Sequence, residues 1–205
     1  NIPRALSASL ARLQTDYTNI YKMHSPDQTV PIEETLETMT AEISAGRVLI
    51  AGCSNYSSVQ LGEAMDASAS HGYTRFEVTQ PSYSLAAPEA QEDLFPLCTR
   101  EGVAVTPYGP LGSGFLTGKY TPDRTKFPTG TRFHISPGHA DVYFSDRNFR
   151  VVEKLRAKTD ELGEPMVKLA MAWAMTHPSV TSVLIGARET RHIDNALAAY
   201  EMGLD

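Results

Sequence analysis

Cysteine is scarce in this sequence. Cys53 and Cys98 are the only two in 205 residues, so a disulfide framework is excluded, and reduced thiols in a cytoplasmic compartment are expected. Long apolar runs are missing too. The longest, Val48–Cys53 and Leu169–Met175, are far shorter than the roughly 20 residues a membrane-spanning helix requires. Positive charge is not in excess: 18 Lys and Arg stand against 24 Asp and Glu, a net charge of −6. That balance argues against nucleic acid or an anionic membrane as the main partner. The opening N-I-P-R-A-L-S-A-S-L lacks the basic and then apolar regions of a signal peptide. Six histidines include His134 and His139, yet no Cys or carboxylate cluster accompanies them at zinc spacing, so no metal site is expected. Low-complexity linkers and short-period repeats are also absent.

What is present is an alternation. The most legible stretch is Val48–Tyr56, V-L-I-A-G-C-S-N-Y. A short apolar run bounded by Gly52 reads as a strand buried on both faces, with Cys53, Ser54 and Asn55 where its carboxyl end meets solvent. Ligands bind at that end of parallel α/β sheets. The same rhythm surrounds it. Ile2–Leu13 has helical spacing, with Ile2, Leu6, Leu10 and Leu13 on one face. Asp16–Met23 reads as a strand and is followed by the turn His24-Ser25-Pro26-Asp27. A helix from Pro31, with Glu33 and Glu34 in its first turn, suits the helix dipole. Ser57–Ala69 is helix, Phe76–Gln80 strand, Pro88–Arg100 helix and Val103–Thr106 strand. From Gly112 to about Asp146 no strong period appears, and a loop of that length is usually functional or disordered. Arg147–Leu162 and Pro165–Thr176 return to helix. Thr181–Ile185 reads as a fifth strand, and Glu189–Ala199 as the last helix. Strands alternating with helices imply a parallel sheet. An open doubly wound sheet and most of a (β/α)8 barrel fit that alternation equally.

Several motifs, in order and spacing, resemble the aldo-keto reductases, in the branch that includes potassium-channel β subunits and bacterial sugar or aldehyde reductases. They are S-L-A-R-L-Q-T-D-Y with I-Y-K-M-H-S-P-D (Ser9–Tyr17, Ile20–Asp27) and P-I-E-E-T-L-E (Pro31–Glu37). G-R-V-L-I-A-G-C-S-N-Y (Gly46–Tyr56), Y-G-P-L-G-S-G-F-L-T-G-K-Y (Tyr108–Tyr120) and S-V-L-I-G-A-R (Ser182–Arg188) follow. The resemblance implies an incomplete (β/α)8 TIM barrel, a single partial domain over residues 1–205 carrying strands four to eight. It begins at the family's third helix, and the chain opens without Met and directly into a helix, as though something preceded Asn1. The family's catalytic Asp, Tyr and Lys would belong to that earlier segment.

Each candidate has a plainer reading beside the one the resemblance implies. His24, at the predicted mouth, is either a hydrogen-bonded structural residue or the catalytic His that orients a substrate carbonyl. Ser54, Asn55 and Gln80 are turn and cap residues, or a set that holds the nicotinamide carboxamide. Neutral polar groups suit a neutral amide. Tyr108 is an interfacial aromatic, or a ring stacked on the nicotinamide. Gly109, Pro110, Leu111 and Ser113 would wrap the pyrophosphate through backbone N–H groups. Gly186, Arg188 and His192 are a solvated helix start, or the site of the adenosine 2′-phosphate, with Arg188 favouring NADP over NAD. Lys119 reads as a loop residue.

The resemblance therefore implies NADPH-dependent reduction of a small-molecule aldehyde or ketone, with little or no turnover expected from these 205 residues alone. The alternative is a truncated barrel without reductase activity, a cofactor-binding or assembly protein or one recruited to other chemistry. Five strands leave two unpaired edges, which a barrel does not leave bare. Self-association, or an N-terminal segment absent from this chain, is expected to cover them.

Overall fold

Why Val48–Ser54 forms a strand is visible in its burial. Val48, Ala51 and Cys53 are wholly buried and Ser54 nearly so. The structure, a computed structural model, describes residues 1–204. Its contacts divide the chain into two compact units, one of Asn1–Pro81 with Asp93–Thr106, the other of Ser82–Glu92 with the chain from Pro107 onward.

The first unit holds helix α1 (Ile2–Leu13), strand β1 (Thr18–Met23), α2 (Ile32–Ser44), β2 (Val48–Ser54), α3 (Ser58–His71), β3 (Val78–Gln80), α4 (Leu94–Glu101) and β4 (Ala104–Val105). The strands form one sheet in the order β1-β2-β3-β4, and every pairing is parallel. The α/β alternation with a parallel sheet is thus as the sequence implies. The register sets Lys22 opposite Gly52, Gly52 opposite Val78, Val78 opposite Ala104, and Ser54 opposite Gln80. Alternate residues share a face of a strand. The Lys22 row and the Ser54–Gln80 row therefore lie on the same face. Met23, Cys53, Thr79 and Val105 take the other face; Cys53, Thr79 and Val105 are fully buried.

The helices are tied down by their ends as well as their apolar faces. Ser57 caps α3 in a reciprocal box with Gln60, each side chain accepting from the other's backbone N–H. At α1 the residue Asn1 holds the N-cap position but makes no side-chain cap bond. On the apolar side, Leu6 and Leu10 pack with Val48, Tyr21 and Ile43.

The second unit is helical: α5 (Arg132–Ile135), α6 (Ala140–Tyr143), α7 (Asp146–Leu162), α8 (Met166–Thr176) and α9 (Thr190–Met202). The run with no sequence period, from Gly112, contains 3-10 turns at Gly112–Thr117 and Pro137–His139 besides the two four-residue helices. It is built around aromatic rings. Phe115, Tyr120, Phe133, Tyr143 and Phe144 are buried together, with Phe127 and Phe149 packed against them. Helix α8 buries Leu169, Ala170, Met171, Ala172 and Ala174, as its nearly all-round apolar sequence implies.

Two expectations are corrected. The predicted fifth strand, Thr181–Ile185, is not a strand. Leu184 alone forms an isolated parallel bridge with Tyr108, its N–H donating to the Pro107 carbonyl at 2.8 Å. Pro107 has no N–H to offer and Gly109 leaves the extended region at φ 71°, so no ladder extends from that bridge. The predicted helix Pro88–Arg100 is interrupted, a 3-10 turn at Glu89–Gln91 preceding α4.

Candidate functional site

In the first unit the carboxyl ends of β1, β2 and β3 bring His24, Ser54, Asn55 and Gln80 into one hydrogen-bonded set. The Ser54 hydroxyl donates to the Gln80 carbonyl oxygen at 2.7 Å. The Asn55 side-chain amide donates to the His24 carbonyl oxygen at 2.8 Å. Asn55 adopts a left-handed conformation, φ 60°, which Asn tolerates better than most residues. It thereby lashes the turn after β1 to the end of β2. Ser54 is buried and the His24 side chain is exposed.

A residue the sequence reading passed over joins this set. Lys22 reaches from the row below, donating from Nζ to Gln80 Oε1 at 2.5 Å and to Thr106 Oγ1 at 3.5 Å. The Thr106 hydroxyl donates in turn to the Thr79 carbonyl. No carboxylate lies within ion-pairing distance of Lys22 among the described residues. Desolvation holds its ammonium below the usual lysine range, against a smaller upward pull from Cys53. The available signal was Gly52: a strand glycine often marks a place where another group comes close. Here the Lys22 stem passes where a side chain at position 52 would sit.

With its Oε1 engaged, the Gln80 amide is left with Nε2 as a donor. The Ser54 hydroxyl, having donated its proton, retains lone pairs that accept. One donor and one acceptor on adjacent strands match the C=O and NH2 of a carboxamide. The thiols contribute no nucleophile. Burial pushes Cys53 up to about 11 and Cys98 up to about 12, which keeps both protonated near neutrality. A cavity of about 380 Å³ in this unit is lined by Pro26, Asp27, Tyr56, Gln60 and Glu63 among others. None of the predicted site residues lines it.

In the second unit, Tyr108 bridges Ser82 and Leu184, and Gly109 takes φ 71°. Gly112, Ser113 and Gly114 follow with φ 54°, 57° and 87°, three left-handed residues in succession. This loop is backed by the Tyr143 ring, which a Cβ on Gly112 would meet at 3.1 Å. The expected cradle of backbone N–H groups is only partly available. Pro110 has none. The Gly112 and Gly114 N–H groups are spent within the loop, on the carbonyls of Gly109 and Leu111.

One cation, Lys119, stands near this loop. A Cβ on Gly114 would lie 3.3 Å from Lys119 Nζ and 3.9 Å from the Tyr120 hydroxyl. That hydroxyl is buried with no hydrogen-bond partner among the described residues. Partial desolvation, and then the Arg188 guanidinium, lower the Lys119 ammonium below its usual range. The Gly186–Arg188 segment is exposed. Arg188 Nη1 donates to the Gly130 carbonyl at 3.3 Å. The Arg188 backbone N–H donates to His192 Nδ1 at 3.1 Å, which makes His192 a local clasp for the turn. Glu189, paired with Arg191, occupies the N-cap of α9, and its carboxylate competes with any anion for that helix terminus.

Among the described residues no helix is long and apolar enough to cross a membrane, and no group of three or more His, Cys, Asp or Glu is placed to hold a metal ion.

The aldo/keto reductase family pattern matches residues 1–205. A probable voltage-gated potassium channel subunit beta of Arabidopsis thaliana is 34% identical over 205 residues, covering 98% of this chain and 62% of that protein. An uncharacterized oxidoreductase of Bacillus subtilis is 30% identical over 204 residues, 100% of this chain and 60% of that protein. An aldo-keto reductase of Metarhizium robertsii is 31% identical over 195 residues, 95% of this chain and 51% of that protein. The chain thus spans between half and about 62% of the length of these relatives. With its parallel α/β sheet, its ordered motifs and a match along its whole length, this chain belongs to the aldo/keto reductase family.

Proposed function

We propose that this is an NADPH-dependent oxidoreductase acting on an aldehyde or ketone, with residues 1–205 forming one partial domain of a (β/α)8 barrel to which β1–β4 contribute strands. The observation that carries the reading is the Ser54–Gln80 pair, which offers an acceptor and a donor to an amide at the carboxyl end of adjacent parallel strands. Asn55, anchored on the turn at His24, completes the carboxamide subsite. Tyr108 supplies the ring that packs on the nicotinamide. Gly109, Pro110, Leu111 and Ser113 line the pyrophosphate path. Gly186, Arg188 and His192 take the adenosine 2′-phosphate, with Lys119 beside Arg188 as a further cation. The bound cofactor supplies hydride. His24 orients the carbonyl that receives it.

Titration with NADPH tests the reading. Saturable binding is expected, and Gln80→Ala should weaken it by about tenfold, the scale of one lost hydrogen bond. Binding of adenosine 2′,5′-bisphosphate, which has no nicotinamide, should be unchanged in that variant. Absence of saturable NADPH binding overturns the proposal.

A second reading, a cofactor-binding assembly protein without turnover, draws on the likeness to a protein described as a potassium channel subunit. The two part on catalysis. The 205 residues alone should reduce carbonyl compounds little or not at all, and turnover of ordinary enzymatic magnitude from them would refute that expectation.

A further inference from the structure

Lys22 is a group that the carboxamide site does not itself require. Three observations set it apart. It sits on the site face of the sheet, in the row beneath Ser54 and Gln80. Its stem crosses the space left by Gly52, where a Cβ would lie 2.8 Å from Lys22 Cγ. Its ammonium ends on two neutral acceptors, Gln80 Oε1 and Thr106 Oγ1, with no carboxylate to neutralise it among the described residues.

The consequences are of two kinds. A hydrogen bond from a charged donor is about twice as strong as one between neutral groups, so the Gln80 amide is held in one of its two flip states, Oε1 toward Lys22. A uniform row of neutral side chains would leave that choice open. The second consequence is electrostatic. An unpaired positive charge next to the residue that holds a nicotinamide acts differently on the two redox states of that ring. The oxidised ring is cationic and the reduced ring is neutral.

We propose that Lys22 is a positioning residue that sets the redox-state preference of the nicotinamide subsite, holding Gln80 as a donor and disfavouring the oxidised, cationic ring relative to the reduced one. This rests on the cofactor reading above. Two unit charges about 10 Å apart at an effective dielectric of about 20 interact strongly enough to change an equilibrium by roughly tenfold. Lys22 thus promotes loss of the oxidised product as well as uptake of the reduced cofactor. It supplies no proton to the reaction and forms no bond.

The test is a pair of titrations, with NADPH and with NADP⁺, of the full chain carrying Lys22, Lys22→Met or Lys22→Arg. The readout is the ratio of Kd for NADP⁺ to Kd for NADPH. Lys22→Met should lower that ratio by roughly tenfold, chiefly by tightening NADP⁺, which corresponds to a fall of about 30 mV in the midpoint potential of the bound two-electron couple. Lys22→Arg keeps the charge and should keep the ratio. A merely structural role would weaken both forms together in Lys22→Met. An unchanged ratio, with both forms still binding, overturns the inference and leaves the cofactor reading standing. If the unsubstituted chain binds neither form, the cofactor reading fails and this inference falls with it. Far-UV circular dichroism identifies a variant that has not folded. In that event the Lys22→Gln variant decides, by the same ratio and the same outcomes.

Discussion

Replacing Gly52 with alanine is expected to lower the unfolding free energy by about 3 kcal/mol, the upper part of the usual range for overpacking a filled interior. The added methyl would lie 2.5 Å from Val78 Cγ1, 2.8 Å from the Val78 carbonyl oxygen and 2.8 Å from Lys22 Cγ. Real Cβ atoms do not approach that closely. Lys22 has a flexible stem and can yield. The Val78 carbonyl belongs to the neighbouring strand, so relief there requires β2 and β3 to separate. Gly62, in the middle of α3, gives the opposite sign. A Cβ there meets nothing within 4 Å, and alanine in a helix is favoured over glycine by roughly 0.5–1 kcal/mol. Urea unfolding of the two variants should move the midpoint in opposite directions, down for Gly52→Ala and up for Gly62→Ala. A Gly52→Ala midpoint equal to that of the unsubstituted chain would mean that the strands are not packed as described.

Gly52 also shows how far the sequence could be read. Its place after Val48–Ala51 marked a strand end, and β2 runs Val48–Ser54, close to that expectation. Periodicity identifies an element when one face is buried along its whole length, as in α1, α2, α7 and α8. It fails where a neighbour decides. Thr181–Ile185 has the composition of a strand, but pairing depends on the segment alongside, where Pro107 has no N–H and Gly109 turns out of the extended region. The stretch after Gly112 looked structureless because no face of it is continuous. Its order comes from rings brought together in space, Phe115 with Phe144 at 5.4 Å and Phe127 with Phe133 at 6.0 Å. No period in the chain encodes that arrangement.

The placement of the candidate residues was partly legible in a similar way. His24, Ser54, Asn55 and Gln80 stand at strand ends, where polar residues after apolar runs draw notice, and the first unit brings them into one hydrogen-bonded set. Lys22 was not legible. A lysine in a strand is ordinarily solvent-facing, and only the register, which puts it opposite a glycine, shows its stem turning inward along the sheet. Of the residues expected to wrap a pyrophosphate, Pro110 has no N–H to give, while the N–H groups spent inside the loop belong to their neighbours Gly112 and Gly114.

Phe133→Ala should cost the most of any substitution in the second unit, about 4 kcal/mol. Phe133 is wholly buried. Its ring lies 4.6 Å from Tyr120, 5.2 Å from Phe144, 6.0 Å from Phe127 and 6.1 Å from Tyr143. Each such pair adds roughly 0.5–1.5 kcal/mol beyond the area it buries, although losses shared among touching rings do not simply add. The helix carrying Phe133 cannot compensate. It has four residues and no side-chain N-cap bond, and a helix so short has no stability of its own in water. The ring is therefore what holds Arg132–Ile135 in place, and its removal should loosen the whole segment between Tyr120 and Tyr143. Two measurements check this. Urea unfolding should show the loss in stability, and limited trypsin digestion should cut faster at Lys126 and Arg132 in the variant. Phe133→Leu keeps most of the volume and should lose less than half as much. The effect should also reach the loop before it. A Cβ on Gly112 would touch the Tyr143 ring at 3.1 Å, so ring and loop are already in close contact. Loosening Tyr143 frees the left-handed run at Gly112–Gly114, so the variant should bind adenosine 2′,5′-bisphosphate more weakly even at temperatures where it remains folded. A variant that is destabilised by the stated amount yet binds that nucleotide normally would separate the aromatic core from the anion loop and sink the link between them.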